Sequence, residues 1–158
     1  MKIDVLIPAL ILAISALISG CKEEEPYVIT CMDGPVTFEL LRNQLNPPER
    51  LQHLNDKDTI TTLIIQAEEQ YYNYLNRGEG LPAINFKEKT LLAGRVFSGL
   101  VAPIVKQTVD SDCMAKTVTL TLTMKYASTP IAGFTHYYAI VPKISDDTKL
   151  KVLVKFIH

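Results

Sequence analysis

Lys116-Thr117-Val118-Thr119-Leu120-Thr121-Leu122-Thr123-Met124-Lys125-Tyr126 alternates strictly between polar and apolar side chains. Successive side chains of a β-strand point to opposite faces. The stretch therefore predicts a half-buried strand, with Val118, Leu120, Leu122, Met124 and Tyr126 on its dry face and Thr117, Thr119, Thr121 and Thr123 on its wet face. A sheet with one wet face is antiparallel far more readily than parallel, because parallel sheets are covered on both sides.

Reading outward from that strand, Lys149 to Ile157 alternates again, with Leu150, Val152, Val154 and Phe156 expected inward. Between the two lie an apolar, aromatic strand from Phe134 to Val141 and a polar turn from Pro142 to Thr148 that contains Asp146-Asp147. On the N-terminal side, Asp110-Ser111-Asp112 predicts a hairpin turn, and Val101 to Val109 and Lys89 to Phe97 predict strands around Ser98-Gly99. Further back, Ala67, Tyr71, Tyr74 and Leu75 share one helical face, Glu68 and Glu69 complement the dipole in its first turn, and Gly78 is a natural stop. Thr59 to Ile65, rich in β-branched residues, reads as a buried strand handing over to that helix at Gln66. Asp33-Gly34-Pro35 is a turn cluster, and Val36 to Leu45 fits a strand or a short helix equally well. The order is strand, helix, then about five mostly antiparallel strands: an α+β sheet or sandwich with one packed helix.

The first residues have a different character. Lys2 precedes an apolar run from Val5 to Ile18, and Ile18-Ser19-Gly20-Cys21 resembles a bacterial lipobox. The resemblance implies a cleaved signal peptide over residues 1–20 and lipid attachment at Cys21. Acyl chains on that residue, at ~0.8 kcal/mol per buried CH2, would hold the chain on a membrane without a spanning helix. Pro8 and the shortness of the run argue against a span, which needs about 20 apolar residues. Lys22-Glu23-Glu24-Glu25-Pro26 follows as a charged tether over residues 21–26, and Cys-Lys followed by acids resembles the surface-export signal of Bacteroidota lipoproteins. The expected location is the bacterial outer membrane, on the cell surface.

Residues 27–158 are the length of one domain. Taking away residues 1–20, with Lys2 and Asp4, leaves 15 of the 16 basic and 16 of the 17 acidic side chains. That balance, with no basic block, argues against a nucleic-acid partner, which would need clustered Lys and Arg to displace counterions from phosphates. Cys31 and Cys113 remain after the lipidated residue. In an oxidising compartment such a pair can form a disulfide, and two separately buried thiols are the alternative.

No catalytic arrangement is recognisable. Ser98 lacks the preceding Gly of a nucleophile elbow, and there is no zinc-protease helix or phosphate-binding Gly-rich loop. His53, His136 and His158 are scattered singly, which excludes an evident metal set, and Asp110, Asp112, Asp146 and Asp147 sit where turns favour Asp. No cofactor is expected. Recognition is left to aromatic side chains: Tyr71, Tyr72 and Tyr74 on the helix, and Tyr137 with Tyr138 on a strand, where adjacent positions face opposite sides. Tyr72, Tyr137 and Tyr138 are the candidate contacts for a protein or glycan partner.

Residues 65–71, Ile-Gln-Ala-Glu-Glu-Gln-Tyr, and 81–93, from Leu81-Pro82 through Asn85-Phe86 to Ala93, resemble the C-terminal domain family of the protease-complex subunit PrcB. Over about residues 59–144 the resemblance implies a strand, a short acidic-aromatic helix, a further strand and β-hairpins. Asn85 stands where that family has Asp, and only Ser98-Gly99 lies near its glycine-rich turn, so no functional residue carries over. The expectation is a non-catalytic, lipid-anchored envelope protein that binds or stabilises a macromolecule, with a surface protease complex among the candidates. A carbohydrate-binding accessory lipoprotein is the alternative, and an unrecognised hydrolase stands third.

Overall fold

The computed structural model describes residues 31–41, 51–75, 81–99, 102–126 and 132–157. The signal-peptide reading, the lipid site at Cys21, the acidic tether, Gly78 and residues 42–45 of the ambiguous 36–45 segment lie outside them; residues 36–41 form neither a strand nor a helix, only an isolated bridge of Glu39 to Ile140. Among the described residues there are seven strands and one helix: β1 Gly34–Pro35, β2 Ile60–Ile65, α1 Glu68–Tyr74, β3 Lys89–Ser98, β4 Ile104–Asp112, β5 Thr117–Lys125, β6 Gly133–Pro142 and β7 Lys149–Ile157. They form two sheets, β1-β4-β5-β7 and β2-β3-β6. The fold is an α+β sandwich, one of the two architectures expected from the sequence.

Every pairing is antiparallel except β5 with β7, which run parallel from Thr117↔Lys149 to Lys125↔Ile157. The chain rises through β5, crosses to the other sheet to descend as β6, and crosses back to rise as β7. Strands that alternate between the sheets in this way become parallel neighbours without a helical crossover.

One core lies between the sheets. Val109, Val118, Leu120, Leu122 and Met124 meet Leu92, Val96, Tyr137, Ala139 and Val141 there. A second core lies on the far side of the three-stranded sheet, where Tyr71 and Leu75 of α1, with Leu41 and Leu51, cover Ile65, Leu91, Ala93, Tyr138 and Ile140. β3 and β6 are thus buried on both faces. At about 25 cal/mol per Å2 of apolar area removed from water, these double-sided strands contribute most to stability. α1 has only seven residues and no side-chain cap at Ala67, although Gln70 reaches back to accept the Gln66 N–H at 3.0 Å. So short a helix is held by packing rather than by propensity.

Three expectations need correcting. Asp110-Ser111-Asp112 is strand, not turn: the reversal comes at residues 113–116, where Lys116 takes the left-handed φ of 49°. β2 is an edge strand with alternating exposure rather than a buried one. Tyr126 and Phe156 do not point into the core; both are about 40% exposed and stack on each other with centroids 5.1 Å apart. The fully buried inner row of β5 ends at Met124, and Tyr126 lies beyond the end of the strand.

Candidate partner-binding face

Tyr137 and Tyr138 alternate as strand neighbours must, but each faces a core. Tyr137 is 1% and Tyr138 8% exposed, so neither can contact a partner; sequence periodicity could not show that both sides of β6 are covered. The Tyr137 hydroxyl donates to the Thr61 carbonyl at 3.0 Å across Gly94, and burial holds its pKa well above the ordinary value. Tyr71 donates to the Pro82 carbonyl at 3.1 Å, and burial, with the neighbouring Tyr72 adding to it, pushes its pKa up to about 12. Tyr72 alone of the three candidates is half-exposed, and its ring lies 5.4 Å from that of Tyr71.

Cys31 and Cys113 are at disulfide distance, Sγ to Sγ 2.02 Å, with Cα atoms 5.8 Å apart. The same corner is held by Asp33, whose carboxylate accepts the Cys113 N–H at 2.7 Å. The disulfide therefore fixes the start of the domain to the tip of the β4–β5 hairpin.

His53 lies in a loop at a left-handed φ of 55°, and His136 is the cross-strand partner of Arg95. Arg95, 6% exposed, donates to the Asn55 carbonyl at 2.9 Å and to Asp56 at 3.0 Å, and its guanidinium lies 4.0 Å over the Phe134 ring. Asp147 accepts from Lys116 and from Ser145, which lowers its pKa and raises that of Lys116, each chiefly through their shared hydrogen bond. These contacts stitch loops to strands. Among the described residues no group of three or more His, Cys, Asp or Glu could hold a metal ion, and no helix is long and apolar enough to cross a membrane. A cleft of 360 Å3 is lined by Ile64, Gln66, Gln70 and Asp146, and one of 310 Å3 by Lys89, Glu39 and neighbouring β6 residues. Lys89 and Glu39 close the second with a 2.7 Å ion pair.

The outer face of the four-stranded sheet is open to solvent. Thr117, Thr119, Thr121 and Thr123 form its central row, as expected. Register places Lys149, Lys151, Leu153, Lys155 and Ile157 of β7 directly beside Thr117, Thr119, Thr121, Thr123 and Lys125. On the other flank, Lys106 pairs with Thr123, while Asp110 and Asp112 pair with Thr119 and Thr117. Five lysines and two aspartates thus share one face, and none of Lys106, Lys125, Lys149, Lys151 and Lys155 has a salt-bridge partner among the described residues.

That face has two ends of different chemistry. The Cys31–Cys113 disulfide, Lys116 and Asp147 lie at one. At the other, where β5 and β7 finish, the outer face carries Leu153 and Ile157, 38% and 43% exposed. No family model matches the chain, and no curated protein or solved structure matches it.

Proposed function

We propose that this chain is a lipid-anchored cell-envelope protein whose sandwich binds another protein by contact and carries out no chemistry of its own. The observation that carries the binding reading is the lysine-rich outer face of the four-stranded sheet, with Leu153 and Ile157 exposed among the lysines of β7. An apolar patch with a polar surround suits a protein interface. Support for the anchor is the stretch from Val5 to Cys21 and the acidic tether after it, which also favour the outer membrane and the cell surface. The likeness of residues 59–144 to the PrcB C-terminal family makes a surface protease complex one candidate partner.

A glycan-binding alternative has lost Tyr137 and Tyr138 to the cores and is left with the half-exposed Tyr126 and Phe156, which stack on each other. Photo-crosslinking in intact cells separates the two. A crosslinker at position 151 or 155 should capture one protein that a crosslinker at position 58 does not. Equal capture at all three, or capture at none together with retention of the chain on a polysaccharide matrix, would overturn the protein-binding reading.

A further inference from the structure

β7 is an edge strand: β5 pairs with one side of it, and among the described residues no strand pairs with the other. The ladder shows which backbone groups are spare. Lys149 donates its N–H to the Lys116 carbonyl and Ile157 accepts from the Tyr126 N–H, so the odd-numbered residues of β7 direct their polar groups at β5. Those of Leu150, Val152, Val154 and Phe156 point away from it, along the open edge.

Side chains on the same strand are sorted by face. Leu150, Val152 and Val154 pack against the inter-sheet core, while Lys149, Lys151, Leu153, Lys155 and Ile157 stand on the outer face. Lysines on an edge strand are a known guard against self-pairing. Here they disfavour a second copy: antiparallel pairing about Leu153 would set Lys151 against the partner's Lys155 twice, and parallel pairing would stack each lysine beside its own copy. The same row is complementary to carboxylates at alternate positions, and the neighbouring Lys106 and Lys125 add to the positive field on that face.

Resting on the protein-binding reading above, we infer that β7 takes an extended acidic segment of a partner protein as an added strand. The segment pairs with the outward backbone groups of Leu150, Val152, Val154 and Phe156, and its carboxylates alternate to meet Lys149, Lys151 and Lys155. Apolar side chains face Leu153 and Ile157. Backbone pairing gives affinity and the alternating side chains give selectivity. An antiparallel arrangement is favoured, since its hydrogen bonds are straighter.

The test uses the full chain in detergent micelles and a labelled peptide of nine residues with Val at positions 1 and 5, Glu at 3, 7 and 9, and Thr elsewhere. Antiparallel pairing sets its ends against Ile157 and Lys149. Anisotropy titration at low salt should show saturable binding. Gln in place of the three Glu should weaken it about tenfold or more. N-methylation at positions 4 and 6, whose amides face β7, should abolish it, whereas methylation at 5 and 7, whose amides face away, should be tolerated. The K151E/K155E chain, checked for an unchanged circular dichroism spectrum, should lose the peptide. Failure to bind at millimolar peptide, indifference to methylation at 4 and 6, or dimerisation of the chain through β7 would each overturn strand addition. Protein crosslinking from position 151 that persists when the peptide fails leaves the broader contact reading standing and removes only this one.

Discussion

Gly94 of β3 and Tyr137 of β6 are cross-strand partners, and the side chain that Gly94 lacks is the space the Tyr137 ring occupies. A Cβ at Gly94 would fall 2.1 Å from both the Tyr137 hydroxyl oxygen and the Thr61 carbonyl oxygen. Tyr137 thereby reaches over one strand to bind the backbone of the next, tying all three strands of its sheet together.

Gly94→Ala should therefore destabilise the domain by about 2 to 3 kcal/mol, since the obstructing atoms are backbone and a fully buried ring rather than a mobile side-chain tip. Tyr137→Phe, which keeps the ring and loses one hydrogen bond, should cost only about 1 kcal/mol. Urea denaturation of both variants measures the difference. Gly94→Ala no more costly than Tyr137→Phe would show that the strand yields easily at this point.

Alkaline pH should act through the same ring. In the folded chain burial raises the pKa of Tyr137 well above 10, and that of Tyr71 to about 12. Once unfolded, both ionise near 10. The protonated native form is thus favoured fully below pH 10, and its stability should fall as pH rises from about 10 toward 12, because only the unfolded state releases protons there. Absorbance titration of the seven tyrosines should leave two un-ionised until the fold is lost; smooth ionisation of all of them near pH 10 in folded protein would contradict this.

The Cys31–Cys113 link spans 82 residues of sequence, and closing so long a loop in the unfolded chain is worth about 3 to 5 kcal/mol in the chain-entropy description. Paired replacement of both residues by Ser should lower stability by that order. Denatured, unreduced protein should show neither of these two thiols in a titration. Two reactive thiols at Cys31 and Cys113 would show that the pair stays reduced.

Arg95 and Asp56 should respond unequally to mutation although they share one ion pair. The Asp56 side chain is 88% exposed, so Asp56→Asn should cost under about 1 kcal/mol. Arg95→Ala removes a buried stem, its contact with the Phe134 ring and its hydrogen bond to the Asn55 carbonyl, and should cost on the order of 2 to 3 kcal/mol. Comparable losses in thermal or urea unfolding would mean that the ion pair, rather than the packing, dominates.

Cys21→Ser tests the proposed anchor. Wild-type chain should take up labelled palmitate and partition into detergent, and the variant should do neither. Replacing Glu23, Glu24 and Glu25 by Ala should shield the domain from protease added to intact cells; unchanged cleavage would reduce the acidic run to a spacer.

How far the residues foretell this molecule depends on how many sides of a strand are wet. β5 was legible because its threonines meet water and its aliphatic residues meet the core, which is the one condition under which period-two alternation shows in composition. β6 has no wet face: Tyr137 enters one core and Tyr138 another, and an aromatic pair that reads as half-exposed is fully enclosed. Asp110 and Asp112, which read as a turn, are accommodated in β4 because their side chains stand on the solvent face of the sheet. The lysine row of β7 is visible in the chain. Its setting is not, because strand order and an open edge are products of topology that no local pattern encodes.

The disulfide also determines how a pull would travel. With an anchor at Cys21, tension arriving at Cys31 enters the sheet at Cys113, bypassing β1, and passes straight into the base of β5. A partner gripping β7 pulls on the adjacent strand in the opposite sense. Because β5 and β7 run parallel, the load meets their nine paired positions together, in shear, rather than opening them one hydrogen bond at a time. The covalent link and the single parallel pairing together would let the sandwich bear force between a membrane and whatever it holds.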